Sequence, residues 1–355
     1  MKVFAILHEP ASYTTDRNRA VYDPLGINYA YINAGSAAGT KEDAQDIRLI
    51  PHRFCSRVRF LKRVLQENDM IIMNGYTGCV FVILFFLNLF YRRCIGIDSD
   101  TQLVIPSNTF KRLIKTIYLN IIFRNRNIAG LAGGTVSHKE LFRYFGMSEE
   151  RIFLMPMMVD NSKFYNGHNT DKTRFTFLYV GRMVECKNIR ILLDSFSELF
   201  TGQQDVKLEL VGDGELISSF KTEYSDISNI NFTGKCFSEE LVKKYSEASV
   251  FVLPSSFEPW GLVVNEALSA GLPVVVSNQV GARFDLVEGK GTGFVFRWND
   301  KEDLKEKMRV LYENKELYAK CSENASRLMH EYWNYDLYAS CLRTFIDYAS
   351  SKKNR

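Results

Sequence analysis

No CxxC pair and no other metal-ligand spacing occurs in the 355-residue sequence, whose seven cysteines stand singly at Cys55, Cys79, Cys94, Cys186, Cys236, Cys321 and Cys341. An odd, scattered set of this kind argues against a disulfide framework and fits buried free thiols in a reducing compartment. A bilayer-length apolar run is missing too. The longest candidate, CVFVILFFLNLFYRRC, offers about thirteen apolar positions broken by Asn88, against the roughly 20 a spanning helix needs. A helix buried between a sheet and its neighbour is the preferred reading of that stretch, with an interfacial anchor as the alternative. The opening MKVFAILHEP passes from a short strand pattern straight into polar residues, without the apolar core of a signal peptide, so the expected setting is the cytoplasm. There are no internal repeats and no low-complexity tracts, and 46% hydrophobic with 24% charged residues excludes both disorder and a membrane-embedded bundle.

What is present suits two domains of ordinary size. In residues 1–163 strand-like runs (KVFAILH, INYAYINA, DMIIMNG, CIGIDSD, IAGLAGG, RIFLMPMMVD) alternate with helical patterns, among them RFCSRVRFLKRVLQEN. Another, FKRLIKTIYLNIIFRNRN, reads as an amphipathic helix with Lys111, Arg112, Lys115, Arg124 and Arg126 on or near its polar side. The polar stretch DNSKFYNGHNTDKT marks an interdomain linker. From residue 164 to 332 the strand–helix alternation is cleaner, and 333–355 carries the aromatic-rich helical segment YWNYDLYASCLRTFIDYA. Such alternation predicts an α/β fold of two doubly wound parallel sheets, with ligands beyond the carboxyl ends of the strands. Charge is divided unequally: 21 Lys and Arg face 14 Asp and Glu in residues 1–163, a net of +7, whereas 24 face 27 in the remainder, a net of −3. Either two solvated surfaces have drifted apart by chance, or the first half approaches something anionic, such as a phospholipid face or a phosphorylated acceptor.

Four loops of the second half fall where a ligand is expected. In GRMVECKN, Gly181 allows a tight exit from the strand, and Arg182 and Lys187 place two cations near its end, an arrangement that suits a diphosphate leaving group. Two plain surface cations are the alternative. VGDGEL, with Gly212, Asp213 and Gly214, reads as a sharp turn that lets backbone approach a ligand. In FTGKCFSEE a strand ends at Gly234, followed by Lys235 and Cys236, and Ser238 reads as the cap of the next helix. The fourth loop is the most informative. In PSSFEPWGLVVNEALSAGLPVVVS seven residues separate Glu258 from Glu266, and PWGL reads as a helix start. The free amides near Gly261, Leu262 and Val263 then form an anion site. One carboxylate is placed to bind sugar hydroxyls and the other to accept from a ribose diol. The apolar surroundings of Glu266 imply that it is semi-buried and needs a partner.

Taken in order, these loops resemble the donor domain of glycosyltransferase family 4, the retaining family with the GT-B fold, from Arg174 to about Phe296. The E-x7-E motif is Glu258 to Glu266, GRMVECKN matches the GR…K element, and GDG, F-x-G and the GAR that begins at Gly281 complete the series. The resemblance implies two Rossmann-like domains across a donor and acceptor cleft, with the C-terminal helix crossing back to the first. It implies that Arg182 and Lys187 bind the diphosphate, that Glu266 takes the ribose, that Glu258 contacts the sugar and that residues 212–214 and 234–236 flank the base. It also implies that no metal or separate cofactor is used, with a UDP-sugar the favoured donor. The first half departs from the family. The loop after the first strand reads HEPASYTT instead of carrying a Gly-Gly pair, and Asp98-Ser99-Asp100 stands where many members have a histidine.

The expected reaction is transfer of a sugar to an acceptor hydroxyl with retention, the departing phosphate oxygen taking the acceptor proton. Glu258, Asp98 and Asp100 are the catalytic candidates, Asp98, Asp100 or Glu9 being the carboxylates that could serve as general base, and Glu9 and Tyr13 are placed on the acceptor side. The basic first half, its helix at 111–126 and the apolar stretch at 79–91 point to a polyprenyl-diphosphate-linked glycan acceptor at an anionic inner membrane surface, for surface polysaccharide assembly such as capsule or lipopolysaccharide, with no nucleic-acid partner. An epimerase on the same fold, or a non-catalytic sugar-nucleotide-binding module, are the rival readings.

Overall fold

A computed structural model describes residues 1–35, 48–165 and 174–353, which divide into two compact units, Met1–Met158 with Tyr335–Arg355, and Val159–Asn334. Of the linker stretch expected at 160–173, residues 166–173 lie outside the described residues.

The first unit alternates β1 (Val3–Leu7), α1 (Ser12–Arg17), β2 (Asn28–Tyr31), α2 (Phe54–Glu67), β3 (Met70–Asn74), α3 (Gly78–Tyr91), β4 (Cys94–Ser99), α4 (Thr109–Arg124), β5 (Ile128–Ala132), α5 (Lys139–Tyr144) and β6 (Ile152–Leu154). Its strands run in the order β2-β1-β3-β4-β5-β6 and every pairing is parallel. β1 and β5 are buried along their whole length, which is why they read as unbroken apolar runs instead of alternating ones. The last helix of the chain, Tyr335–Lys353, belongs to this unit. It lies on β4 where Gly96 leaves room for it: a Cβ there would sit 2.6 Å from the Phe345 ring.

Two helices of this unit differ from their sequence reading. α3 is not buried all round. Val80, Phe81, Leu84 and Phe85 enter the core, while Phe86, Leu89 and Phe90 are exposed, Phe90 at 86%. α4 buries Leu119, Ile122 and Phe123 and turns Phe110, Leu113, Ile114, Ile117 and Ile121 outward. One amphipathic face cannot take so many apolar positions, so each helix carries a second apolar stripe.

The second unit runs β7 (Phe175–Val180), α6 (Ile189–Phe200), β8 (Val206–Val211), α7 (Ile217–Glu223), β9 (Ile230–Gly234), α8 (Ser238–Glu247), β10 (Val250–Leu253), α9 (Leu262–Ser269), β11 (Val274–Ser277), α10 (Arg283–Leu286), β12 (Gly293–Phe296), α11 (Lys301–Glu313) and α12 (Lys315–Arg327). Its sheet is again wholly parallel, in the order β12-β11-β10-β7-β8-β9. Succession moves outward from β7 to β9 and then returns to place β10 on the other side of β7. The crevice between the loops leaving β7 and β10 is therefore the switch point of this sheet, the place where open α/β sheets bind ligands. Two helix starts shift from the sequence reading. α9 begins at Leu262, after Gly261 in a left-handed conformation (φ 95°), so Pro259 and Trp260 precede the helix. Phe237, not Ser238, stands at the N-cap position of α8, with no side-chain cap bond. The cysteines are all free, but Cys55, Cys79 and Cys186 are exposed, so burial holds fully only for Cys236 and Cys321.

Candidate active site

At the switch point of the second unit the loop after β7 meets the loop after β10. Main-chain bonds hold the two together: Ser256 donates its amide to the Cys186 carbonyl at 2.9 Å, and its hydroxyl reaches the same oxygen at 3.2 Å. This registration sets Lys187 against Glu258. The ammonium donates to Glu258 Oε2, and both side chains are largely withdrawn from solvent, at 15% and 12% exposure. Ser255 Oγ lies 3.4 Å from the same carboxylate oxygen. The main chain of Glu258 is tied to the loop after β11, its amide to the Gln279 carbonyl at 3.2 Å and its carbonyl to the Gly281 amide at 3.0 Å. Both ends of this glutamate are thus fixed, and the amides of Gly261, Leu262 and Val263 open α9 directly after it with no acceptor inside the helix.

Glu266 sits one helical face further on. Its Oε2 accepts from the hydroxyl of Tyr245 at 2.7 Å, and Tyr245, on α8, is fully buried. Burial pushes the Glu266 carboxyl up to about 7, and the Tyr245 hydrogen bond opposes that rise. The partner that the apolar surroundings of Glu266 call for is therefore a tyrosine contributed by another element. Between the two glutamates, Trp260 Nε1 donates to Asn265 Oδ1 at 2.8 Å, and its ring stacks on Trp333 with centroids 5.8 Å apart.

The loops ending β7, β8 and β9 are stitched by backbone. Gly181 donates to Val211, Gly212 to Gly234 and Met183 to Asp213, at 3.0, 2.8 and 2.9 Å. A Cβ on Gly212 would lie 1.8 Å from the Gly181 carbonyl oxygen, and one on Gly214 would lie 2.4 Å from that of Met183. Only glycine permits this approach. Across the 212–214 and 234–236 loops Lys235 pairs with Asp213 at 3.3 Å, and Cys236 is buried beneath them. Arg182 differs from Lys187: its side chain is exposed, and its carbonyl accepts from the Tyr179 hydroxyl at 2.9 Å. The structure brings Lys187 to Glu258 and leaves Arg182 at the rim.

In the first unit the switch point lies between β1 and β3. Asp98, at the end of β4, is buried and faces Arg17 of α1 at 3.7 Å and Asn74 at 3.4 Å. Burial, with Asp100 adding to it, pushes the Asp98 carboxyl up to about 6 against the pull of Arg17. The Arg17 guanidinium lies over the rings of Tyr22 and Tyr338, 4.9 and 5.5 Å from their centroids. Asp100, Glu9 and Tyr13 are exposed. Asp98 thus occupies a structured polar centre, whereas Asp100 and Glu9 stand outside it. Arg17 and Tyr245 were not singled out from the sequence. Arg17 ends the short helix after the HEPASYTT loop and Tyr245 lies in the helix after FTGKCFSEE, but no local spacing pairs either with its carboxylate; the fold brings them together. Among the described residues no group of three or more His, Cys, Asp or Glu side chains is placed to hold a metal ion.

Comparison with known proteins bears on these strand-end loops. Residues 160–328 match the family of glycosyl transferases group 1. The group 1 segment takes in almost the whole second unit. Among curated relatives, the sulfoquinovosyl transferase of Arabidopsis thaliana is 29% identical over 233 residues, 61% of this chain and 44% of its own length. The capsular polysaccharide biosynthesis glycosyltransferase CapM of Staphylococcus aureus is 30% identical over 173 residues, 48% of this chain and 45% of its own. The chain spans less than half the length of these two. Among solved structures, Anabaena HepE in complex with UDP superposes with a TM-score of 0.80 at 15% identity, over 98% of this chain and 100% of that one. The paired parallel α/β units and this likeness give the GT-B fold.

Proposed function

We propose that the protein is a retaining glycosyltransferase that moves a sugar from a nucleotide-diphosphate sugar, favoured to be a UDP-sugar, to a hydroxyl of a lipid-linked glycan at the cytoplasmic membrane surface, in surface polysaccharide assembly. The observation that carries the reading is the Lys187–Glu258 pair at the switch point of the second unit, directly before the free amides that open α9. In this scheme the anomeric C–O bond to the diphosphate breaks as the acceptor oxygen bonds to the same carbon from the same face, and the acceptor proton passes to the departing phosphate oxygen. Lys187, Arg182 and the amides of Gly261, Leu262 and Val263 balance the charge that develops on the diphosphate, so the protein's own cations do this work without a metal. Glu258, freed in part from Lys187 as the phosphates draw the ammonium, holds the sugar hydroxyls. Glu266 accepts from the ribose diol. The 212–214 and 234–236 loops flank the base, and Asp98 and Asp100, with Glu9 and Tyr13, face the acceptor.

Support from known proteins lies in the group 1 match and in the UDP and UDP-glucose complexes of the structural neighbour HepE. The test is a thermal-shift screen of UDP-, GDP-, ADP- and TDP-sugars, followed by transfer assays of Glu258→Gln and Glu266→Gln with the donor that binds. Transfer by both variants at the parental rate refutes the assignment of the site.

A further inference from the structure

The amides that follow Glu258 open α9 and its second turn carries Glu266, yet this helix has only eight residues and no side-chain cap. A helix of that length does not hold its place by itself. Asn265 and Ser269, four residues apart, share one face of it and are wholly buried. That face meets the stretches next to where the chain enters the second unit, at Val159, and leaves it, at Asn334. Asn161 makes the junction. Its Nδ2 donates to the Met329 carbonyl at 2.6 Å and to the Trp333 carbonyl at 3.0 Å. Its Oδ1 lies 2.9 Å from the Ser269 hydroxyl, which is also 2.7 Å from the Asn265 carbonyl and shares its one proton between the two. Both ends of the Asn161 amide are thus engaged. His330, in the π turn Leu328–Tyr332, places Nε2 3.0 Å from the Ser269 carbonyl. Trp333 completes the circuit: its ring stacks on Trp260 with the planes 14° apart, and Trp260 Nε1 donates back to Asn265.

We infer that Asn161 and Trp333 are positioning residues of the nucleotide site: from the entry and exit of the second unit they fix where α9 lies, and with it the amides of Gly261, Leu262 and Val263 and the carboxylate of Glu266. The kind of contact is the reason. Apolar packing of a short helix tolerates small slides, whereas a buried polar network is satisfied in one arrangement, and each broken bond leaves an unpaired buried group. The tryptophan pair carries the same constraint toward Glu258. Trp260 follows that glutamate by two residues, and its carbonyl accepts from the Ala282 amide at 3.0 Å. A displacement of about 1 Å caused from a distance costs up to roughly a hundredfold in function, so neither residue needs to touch a ligand to matter. The inference rests on the proposed function only in taking the α9 site to bind a nucleotide.

Hydrogen exchange of the full chain without ligand, read by mass spectrometry, and calorimetric titration with UDP test it together. Asn161→Asp keeps the shape but sets a carboxylate against two carbonyl oxygens. Trp333→Leu removes the stack, and Trp333→Phe keeps an aromatic ring in its place. Phe200→Leu, buried at the end of α6, is the control for destabilisation alone, and melting temperatures of all variants set the comparison. Asn161→Asp and Trp333→Leu should speed exchange within 258–269 about tenfold or more, leave β8 and β9 at the parental rate and weaken UDP about tenfold. Trp333→Phe should retain most of both, and Phe200→Leu should leave UDP affinity unchanged. Parental exchange of 258–269 in both Asn161→Asp and Trp333→Leu overturns the inference. So does a loss of protection spread evenly over the second unit, or parental UDP affinity in both variants. If the parent binds no UDP, the donor reading fails, and exchange of 258–269 alone decides whether Asn161 and Trp333 hold α9.

Discussion

Removing one oxygen from Tyr245 isolates what Glu266 does. In Tyr245→Phe the ring still fills its buried place on α8, and the hydroxyl 2.7 Å from Glu266 Oε2 is lost. Burial already holds the Glu266 carboxyl near 7, and the tyrosine is the group that opposes the rise. A hydrogen bond to a charged group is worth about 1.5–3 kcal/mol, and 1.36 kcal/mol corresponds to about one pKa unit, so the variant's carboxyl should titrate about 1–2 units higher. If the ionised carboxylate accepts from the ribose diol, UDP affinity in the parent falls as pH drops through about 7. In the variant the same fall begins about 1–2 units higher, so affinity near neutrality is roughly ten-fold lower and the two curves converge at high pH. Titration calorimetry with UDP from weakly acidic to alkaline buffer reads both midpoints. Superimposable pH profiles would refute the role of Glu266 as the ionised acceptor and of Tyr245 as the group that keeps it so.

Glu266→Gln should stabilise the apoprotein at alkaline pH while weakening UDP. A carboxyl raised from 4.5 to about 7 on folding contributes most below pH 4.5, and that contribution is lost as pH rises to 7, amounting to roughly 3 kcal/mol; parent and variant melting curves at pH 5 and 8 measure the difference. Lys187→Met leaves the largely buried Glu258 without its cation and should cost about 3 kcal/mol, which Glu258→Gln added to it recovers in stability but not in transfer; urea titration of the double-mutant cycle checks this. Gly212→Ala drives a Cβ to 1.8 Å from the Gly181 carbonyl and should abolish nucleotide binding, whereas Gly234→Ala meets no atom within 4 Å and costs only about 1 kcal/mol for its positive φ. Gly96→Ala strikes the Phe345 ring and should lower stability, and Phe345→Leu should restore part of the loss when the two are combined.

The strand–helix alternation and the four loops of the second half were legible because each is local. A strand that runs out at Gly181 or Gly212 is written in consecutive residues, and the helix after Glu258 was legible to within a few residues of its start at Leu262. What the loops do to one another was less legible. That Lys187 meets Glu258 instead of sharing its task evenly with Arg182 depends on β10 returning to the side of β7, a fact of sheet order that no motif encodes. Tyr245 and Arg17 escaped notice for the same reason. The reading of α3 as a buried helix failed for another. Its near-continuous apolar run carries no periodicity to separate an inner face from an outer one, and the structure leaves Phe86, Leu89 and Phe90 in solvent.

The main-chain stitching of the strand ends also bears on how such a protein can change. Because Gly212 touches the Gly181 carbonyl and Gly214 abuts Met183, the lengths of the loops after β7 and β8 are locked to each other, and an insertion in either would pry both apart. On the proposed function, new nucleotide preference is therefore accessible by exchanging side chains on the exposed rim, Asp213 and Lys235 first, and closed to remodelling of the turns beneath them. A library confined to those rim positions should yield folded variants at a far higher rate than one that varies loop length, so the glycines define where these strand-end loops are free to evolve.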